Sequence, residues 1–211
     1  HFTIGTPGQS TYDAVVSGVN WLIDQGIAHK GKIGLQGHSW SGFQTTYLVT
    51  KTDIFDCAQI GAPITDMVTG YLGIRNGSGL PRYFMYEDTQ SRMGATLWDA
   101  KEKYKAMSPI INADKIHTPL LIFHNDNDEA VAYEQGRALY LAMRRLQRPA
   151  WMVNYKGQGH FVMKPAAQKD WTIRMMQFFD YYLKGTKEPR WMKEGIHLRD
   201  RGYDQKYDLV K

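Results

Sequence analysis

"GKIGLQGHSWSGFQTTYLV", residues 31–49, is the stretch whose reading decides the fold. It opens as a short apolar run ending in glycine (32–37), a strand signal, and continues as an apolar helix pattern over 40–51. At the join stands Ser39, with Gly37 and Gly42 clearing side chains from around it. A serine at so sharp a corner is either an exposed nucleophile or the N-cap of a tight strand-to-helix turn. The rest of the chain decides between them.

Working outward, residues 10–25 carry Val15, Val16, Val19, Leu22 and Ile23 at helical spacing behind a Ser10 cap. "CAQIGAP" (57–63), "PLLIFHND" (119–126) and "AWMVNY" (150–155) read as three further buried strands. Helices are expected over 133–147, with Ala138, Leu139, Ala142 and Leu146 on one face, and over 170–185. In the second, Trp171, Met175, Phe178, Phe179, Tyr182 and Leu183 align before Gly185 stops it. Apolar strands alternating with helices imply an α/β fold with a mostly parallel sheet covered on both faces. Residues 64–118 show no regular pattern and read as a pocket wall or lid. The expected organisation is one catalytic domain over 1–190 and a charged tail over 191–211 that lies on the surface or frays.

Composition narrows the function. The chain has 211 residues, is 43% hydrophobic and carries a formal charge of +5, enough to bury one sizeable core. The positive surplus is scattered among acids and accompanied by no nucleic-acid motif, so no nucleic-acid partner is expected. No apolar run approaches the ~18–20 residues of a membrane span and no signal peptide is visible, so no membrane partner is expected and the compartment stays open. The chain opens abruptly at His1-Phe2-Thr3 without an initiator methionine, which reads as a piece of something longer. Cys57 is the only cysteine, excluding an internal disulfide, and its apolar setting suggests a buried inert thiol. No cofactor and no metal are expected. His117 and His124 have no partner at ligand spacing, and His29, His38 and His197 are scattered. The one glycine-rich phosphate-loop candidate, Asn76 to Gly79, runs into Leu80-Pro81 instead of a lysine and a helix.

A serine hydroxyl needs a base to take its proton, and that base needs an acid to hold its tautomer. In open α/β sheets such groups gather beyond the carboxyl ends of the strands. The third strand runs into "HNDNDEAV", offering Asp126, Asp128 and Glu129; the fourth runs into "KGQGHF", offering His160. Serine, then acid, then histidine is the chain order of the α/β-hydrolase enzymes. The backbone N–H of Trp40, at the start of the following helix, is expected to serve as one oxyanion donor.

"GHSWSGFQT", "IGAPITD", "PLLIFHNDNDEAV", "GQGHF" and the closing "IRMMQFFDYYLKG" together resemble the catalytic domain of the prolyl oligopeptidase family of serine peptidases, from about residue 8 to 185. The dipeptidyl-peptidase-like and acylaminoacyl-peptidase-like branches match best. The resemblance implies an α/β-hydrolase fold with Ser39 as nucleophile, Asp128 as acid and His160 as base, acting on short peptides through an acyl-enzyme. The family's loop, H-G-x-x-D-x-x-V, selects Asp128 over Asp126 through His124 and Val131, with Asn125 in place of its glycine. Ser41 stands where the family's elbow has glycine, and its Cβ is expected to crowd the turn slightly.

By the same resemblance Trp40, Ile64, Met67 and Val131 line the pocket for the residue before the scissile bond, and their apolar character suits proline, alanine or another uncharged side chain. Ala130 replaces an asparagine of the dipeptidyl-peptidase branch, which argues against strict dipeptide release. The resemblance further implies that the fold is truncated at its N-terminal strands, and that a propeller and a second oxyanion donor, a tyrosine, belong upstream. The isolated chain is then expected to be weakly active or inactive and to self-associate through the exposed edge of the Ser39 strand. A carboxylesterase or other acyl hydrolase on the same fold, and a non-catalytic interaction domain, are the alternative readings.

Overall fold

A computed structural model describes residues 4–210. The opening His1–Thr3 and Lys211 lie outside the described residues.

The first helix, α1 (Pro7–Asp24), leads to strand β1 (Gly34–His38), helix α2 (Trp40–Val49) and strand β2 (Cys57–Gly61). Three short helices and a two-residue hairpin follow: α3 (Met67–Tyr71), β3 (Ile74–Arg75), β4 (Leu80–Pro81), α4 (Tyr83–Glu87) and α5 (Lys101–Ala106). A 3-10 turn (Pro109–Lys115) leads into β5 (Leu120–Phe123), α6 (Tyr133–Arg145), β6 (Ala150–Val153), α7 (Pro165–Phe179) and α8 (Arg190–Glu194).

The four main strands pair in the order β1-β2-β5-β6, all parallel. β2 and β5 are central, and every residue in them is buried. That burial on both faces explains why "CAQIG" and "LLIF" do not alternate and hold a single polar side chain, Gln59. Below the sheet on one side, Ile60, Leu120, Ile122, Leu139 and Met143 form a core with α6. On the other, Leu121, Phe178 and Cys57 pack with α7. Cys57 is fully buried, and burial, reinforced by the nearby Asp56 charge, pushes its thiol up to about 12. It is a packing residue. β1 pairs only with β2 among the described residues, so its far side is an open sheet edge.

Three expectations are corrected. α1 begins at Pro7, so Ser10 does not cap it; the Ser10 hydroxyl instead donates to Pro7 O inside the first turn. Proline suits that first position because its missing N–H has no intrahelical acceptor there. Residues 64–118 contain regular elements, but helices of five or six residues are too short to show a period. Their order comes from burial: Tyr86, Met93 and Tyr104 are fully enclosed in one aromatic cluster with Phe43 and Tyr71. The segment from Trp191 does not fray. Trp191 and Met192 are buried against α7, with the Trp191 indole donating to Gln177 Oε1 at 2.8 Å and the Trp151 indole to Met192 O at 2.7 Å. Asp170 on α7 ties this end down, accepting from Arg174, Tyr155 and Tyr207. No helix among the described residues is long and apolar enough to cross a membrane.

Candidate active site

The site is built at the carboxyl ends of β1, β5 and β6. Ser39 occupies the turn between β1 and α2 with φ 61° and ψ −118°, a left-handed conformation that a non-glycine residue holds only under constraint. The constraint is visible. Its amide donates to Gly61 O on β2 at 2.8 Å, and its carbonyl accepts from Phe43 N at 3.0 Å. The two glycines make the corner possible. A Cβ on Gly37 would lie 2.2 Å from Ser41 O, and one on Gly42 would lie 2.5 Å from Gly61 O. Ser41, expected to crowd the turn, braces it instead: its hydroxyl accepts from His38 N at 3.0 Å and donates to His38 O at 2.8 Å. Trp40 is the first residue of α2, so its N–H is one of the first-turn amides without an intrahelical acceptor.

Of the three acids after β5, Asp128 is the one on the histidine ring. His160 Nδ1 lies 2.7 Å from Asp128 Oδ2. A carboxylate only accepts, so Nδ1 carries a proton, and in the neutral imidazole Nε2 is then the acceptor. Asp128 is surrounded by donors: Ala130 N and Val131 N reach Oδ1 at 2.8 Å each, and His124 Nε2 approaches Oδ2 at 3.3 Å. Burial pushes this carboxyl upward, but the hydrogen bonds from His124, His160 and the Val131 amide outweigh it and hold the group well below the usual carboxylate range. It stays ionised.

The other two acids have different tasks. Asp126 accepts from Gly157 N at 2.7 Å on the exposed rim. Glu129 accepts from the backbone N–H of His160 at 3.1 Å, so it holds the base's main chain and not its ring. Asn125 joins the two loops, donating to Gly159 O at 2.8 Å and accepting from Tyr155 N at 2.9 Å. A glycine at 125 could not make that bridge.

Ser39 Oγ has no hydrogen-bond partner among the described residues. The elbow and the base are nevertheless neighbours: the His160 ring stands 4.7 Å, centroid to centroid, from the ring of His38, the residue before the serine. Catalytic hydrogen bonds are often loose before substrate binds and tighten in the complex. Ile64, Met67 and Val131 share one buried cluster against which Trp40 packs, so the four expected pocket residues do come together.

Sequence reading missed His124 as a partner of the acid, Glu129 as a backbone clamp and Asn125 as a loop bridge. The crowding of "HNDNDE" at a strand end was the available signal, but which side chain meets which loop depends on contacts 30 or more residues apart.

The profile of the prolyl oligopeptidase family matches residues 3–186. The chain belongs to the prolyl oligopeptidase family. It is 28% identical over 182 residues to the dipeptidyl aminopeptidase BIII of Pseudoxanthomonas mexicana, covering 84% of this chain and 26% of that protein. It is 32% identical over 107 residues to a probable chloroplastic glutamyl endopeptidase of Oryza sativa subsp. japonica, covering 51% of this chain and 10% of that one. Its fold matches the acylaminoacyl peptidase of Pyrococcus horikoshii with a TM-score of 0.76 at 20% identity, over 92% of this chain and 31% of that one. The chain thus spans about a quarter or less of these curated relatives' length. The fold is that of the α/β-hydrolase peptidases.

Proposed function

We propose that this chain is the catalytic part of a serine peptidase that cleaves short peptides through an acyl-enzyme. The observation carrying the proposal is the Asp128–His160 pair, which turns Nε2 of the ring away from the carboxylate, beside an elbow whose serine hydroxyl has no partner among the described residues. Ser39 Oγ attacks the scissile carbonyl carbon and its proton passes to His160 Nε2. Negative charge forms on the former carbonyl oxygen, where the Trp40 N–H donates to it. The C–N bond then breaks, the departing amine takes the proton from His160, and an acyl ester remains on Ser39. Water repeats the sequence, giving its proton to His160 and releasing the acid.

The open edge of β1 supports self-association as the finer reading of this chain's own partners, alongside the peptide substrate.

A fluorophosphonate probe, which phosphonylates activated serines, tests the reading. The full-length protein is expected to be labelled at Ser39 and the Ser39→Ala variant not at all. Undiminished peptide cleavage by Ser39→Ala would overturn it.

A further inference from the structure

Arg82 is buried, 5% exposed, at the start of α4, and no carboxylate pairs with it among the described residues. One of its five N–H groups donates to Ala130 O, and its Nε has no partner. Beside it stands Tyr86, 1% exposed, whose hydroxyl is also without a partner; the guanidinium lies 6.0 Å from the centre of the tyrosine ring. A buried cation is normally paired, because removing a charge from water is strongly unfavourable. A carbonyl dipole does not neutralise one. The guanidinium has only donors and the phenol one more, and the phenol oxygen is the one neutral acceptor beside them, so the charge itself calls for a carboxylate.

The location says which carboxylate. Ala130, which Arg82 holds, is flanked by Asp128 on one side through the 2.8 Å bond to Oδ1 and by Val131 on the other. Tyr86 packs in the same cluster as Ile64, Met67 and Val131, with Trp40 against it. Its hydroxyl fills the space left by Gly70, where a Cβ would stand 2.2 Å away, and it lies beside the Ile64 contact of the same glycine. Arg82 and Tyr86 therefore place a cation and a phenol hydroxyl at the edge of the apolar cluster formed by the expected pocket residues.

We propose that the substrate pocket formed by these residues selects an acidic side chain at the residue preceding the scissile bond, with Arg82 and Tyr86 as the groups that recognise its carboxylate. The inference rests on the peptidase reading above. It departs from the uncharged preference that the apolar walls alone suggest.

The test compares aminoacyl nitroanilides carrying Glu, Gln, Pro or Ala next to the leaving group, with the full-length protein. Glu and Gln have the same shape, so their ratio reads charge recognition alone. We expect kcat/KM for Glu to exceed that for Gln at least ~10-fold. Arg82→Met should collapse the ratio to near one, and Tyr86→Phe should lower it several-fold. Equal cleavage of Glu and Gln, or a ratio unchanged in both variants, would overturn the proposal while leaving the peptidase reading standing. A second measurement is independent of turnover. In Ser39→Ala, glutarate at tenfold excess over its Kd should raise Tm by roughly 3 °C and glutaramide should not. No shift with glutarate, even where Ser39 is labelled by the probe, counts against the site. Loss of labelling with the glutarate shift intact counts against the peptidase reading only.

Discussion

Asp128 and His160, 32 residues apart on two loops, are joined by a 2.7 Å hydrogen bond that only one of three neighbouring acids makes. Asp126, two residues earlier, points to Gly157 N instead. The distinction separates a carboxylate that orients an imidazole from one that caps a loop.

Asp128→Asn keeps the shape but removes the charge, and its amide can donate to His160 Nδ1, placing the imidazole in the wrong tautomer. A loss of about 10⁴ in kcat is expected, the scale of the corresponding change in serine proteases. Asp126→Asn should stay within about threefold of the parent, as an exposed rim change does. Steady-state hydrolysis of the best nitroanilide substrate by both variants decides the assignment; the reverse ranking would place the acid at Asp126.

Gly37→Ala should loosen the elbow. The added Cβ would stand 2.2 Å from Ser41 O and 2.4 Å from Thr45 Oγ1, and the first of these is backbone that cannot swing away. Overpacking of this kind costs about 1–3 kcal/mol, and the upper end is expected here. Thermal unfolding should show Tm lowered by several degrees, together with weaker fluorophosphonate labelling. An unchanged Tm would show that β1 can shift to absorb the methyl.

His38 gives stability a defined pH dependence. Its pKa is lowered to about 4, first by burial and then by the neighbouring His160, against an ordinary value of 6.5. Between those values the unfolded chain binds a proton that the folded one refuses, so stability rises with pH across that window and is lost as pH falls from 6.5 toward 4. Asp128, depressed in the fold, contributes stability that is present above the ordinary carboxylate pKa of ~3.9 and lost as pH falls further through its folded value. Urea midpoints measured from pH 7 to 4 should fall, and His38→Gln should flatten that slope. The same slope in the variant would assign it elsewhere.

The open edge of β1 should make the 211-residue chain associate at micromolar concentration. The edge is bordered by a cavity of about 420 Å³ lined by Gln36, His38, Phe161 and Trp171, so an incoming strand would meet apolar as well as polar surface. Light scattering should show mass rising with concentration, and Gln36→Lys, which puts charge on the exposed edge, should reduce it. A concentration-independent monomer would show that the edge is protected.

The sequence by itself determined the framework. "CAQIG", "LLIF" and "AWMV" are strands because short, nearly all-apolar runs bounded by glycine, proline or polar residues leave few other buried conformations, whereas "GLQGH", part-exposed and carrying Gln36 and His38, is marked by its glycine and the helix pattern that follows. The order of Ser39, Asp128 and His160 after the strands β1, β5 and β6 was equally legible, since a parallel sheet gathers those ends on one side. Local pattern could not place Ser10 inside α1, find five-residue helices in 64–118, or see Trp191 return to α7. Those features follow from packing between distant segments, and periodicity carries no record of that.

Tertiary structure alone decided the fine division of labour. Four acceptor sites on Asp128 are filled from its own loop, from β5's end and from the loop after β6, and only folding shows that His124 is among the donors. Arg82 is the plainest case. In the sequence it is one cation among many on a basic chain; in the fold it is enclosed, 48 residues from the carbonyl it touches, with no carboxylate paired to it among the described residues. Burial turns an ordinary charge into a demand for a partner, and burial is a property of the assembled chain.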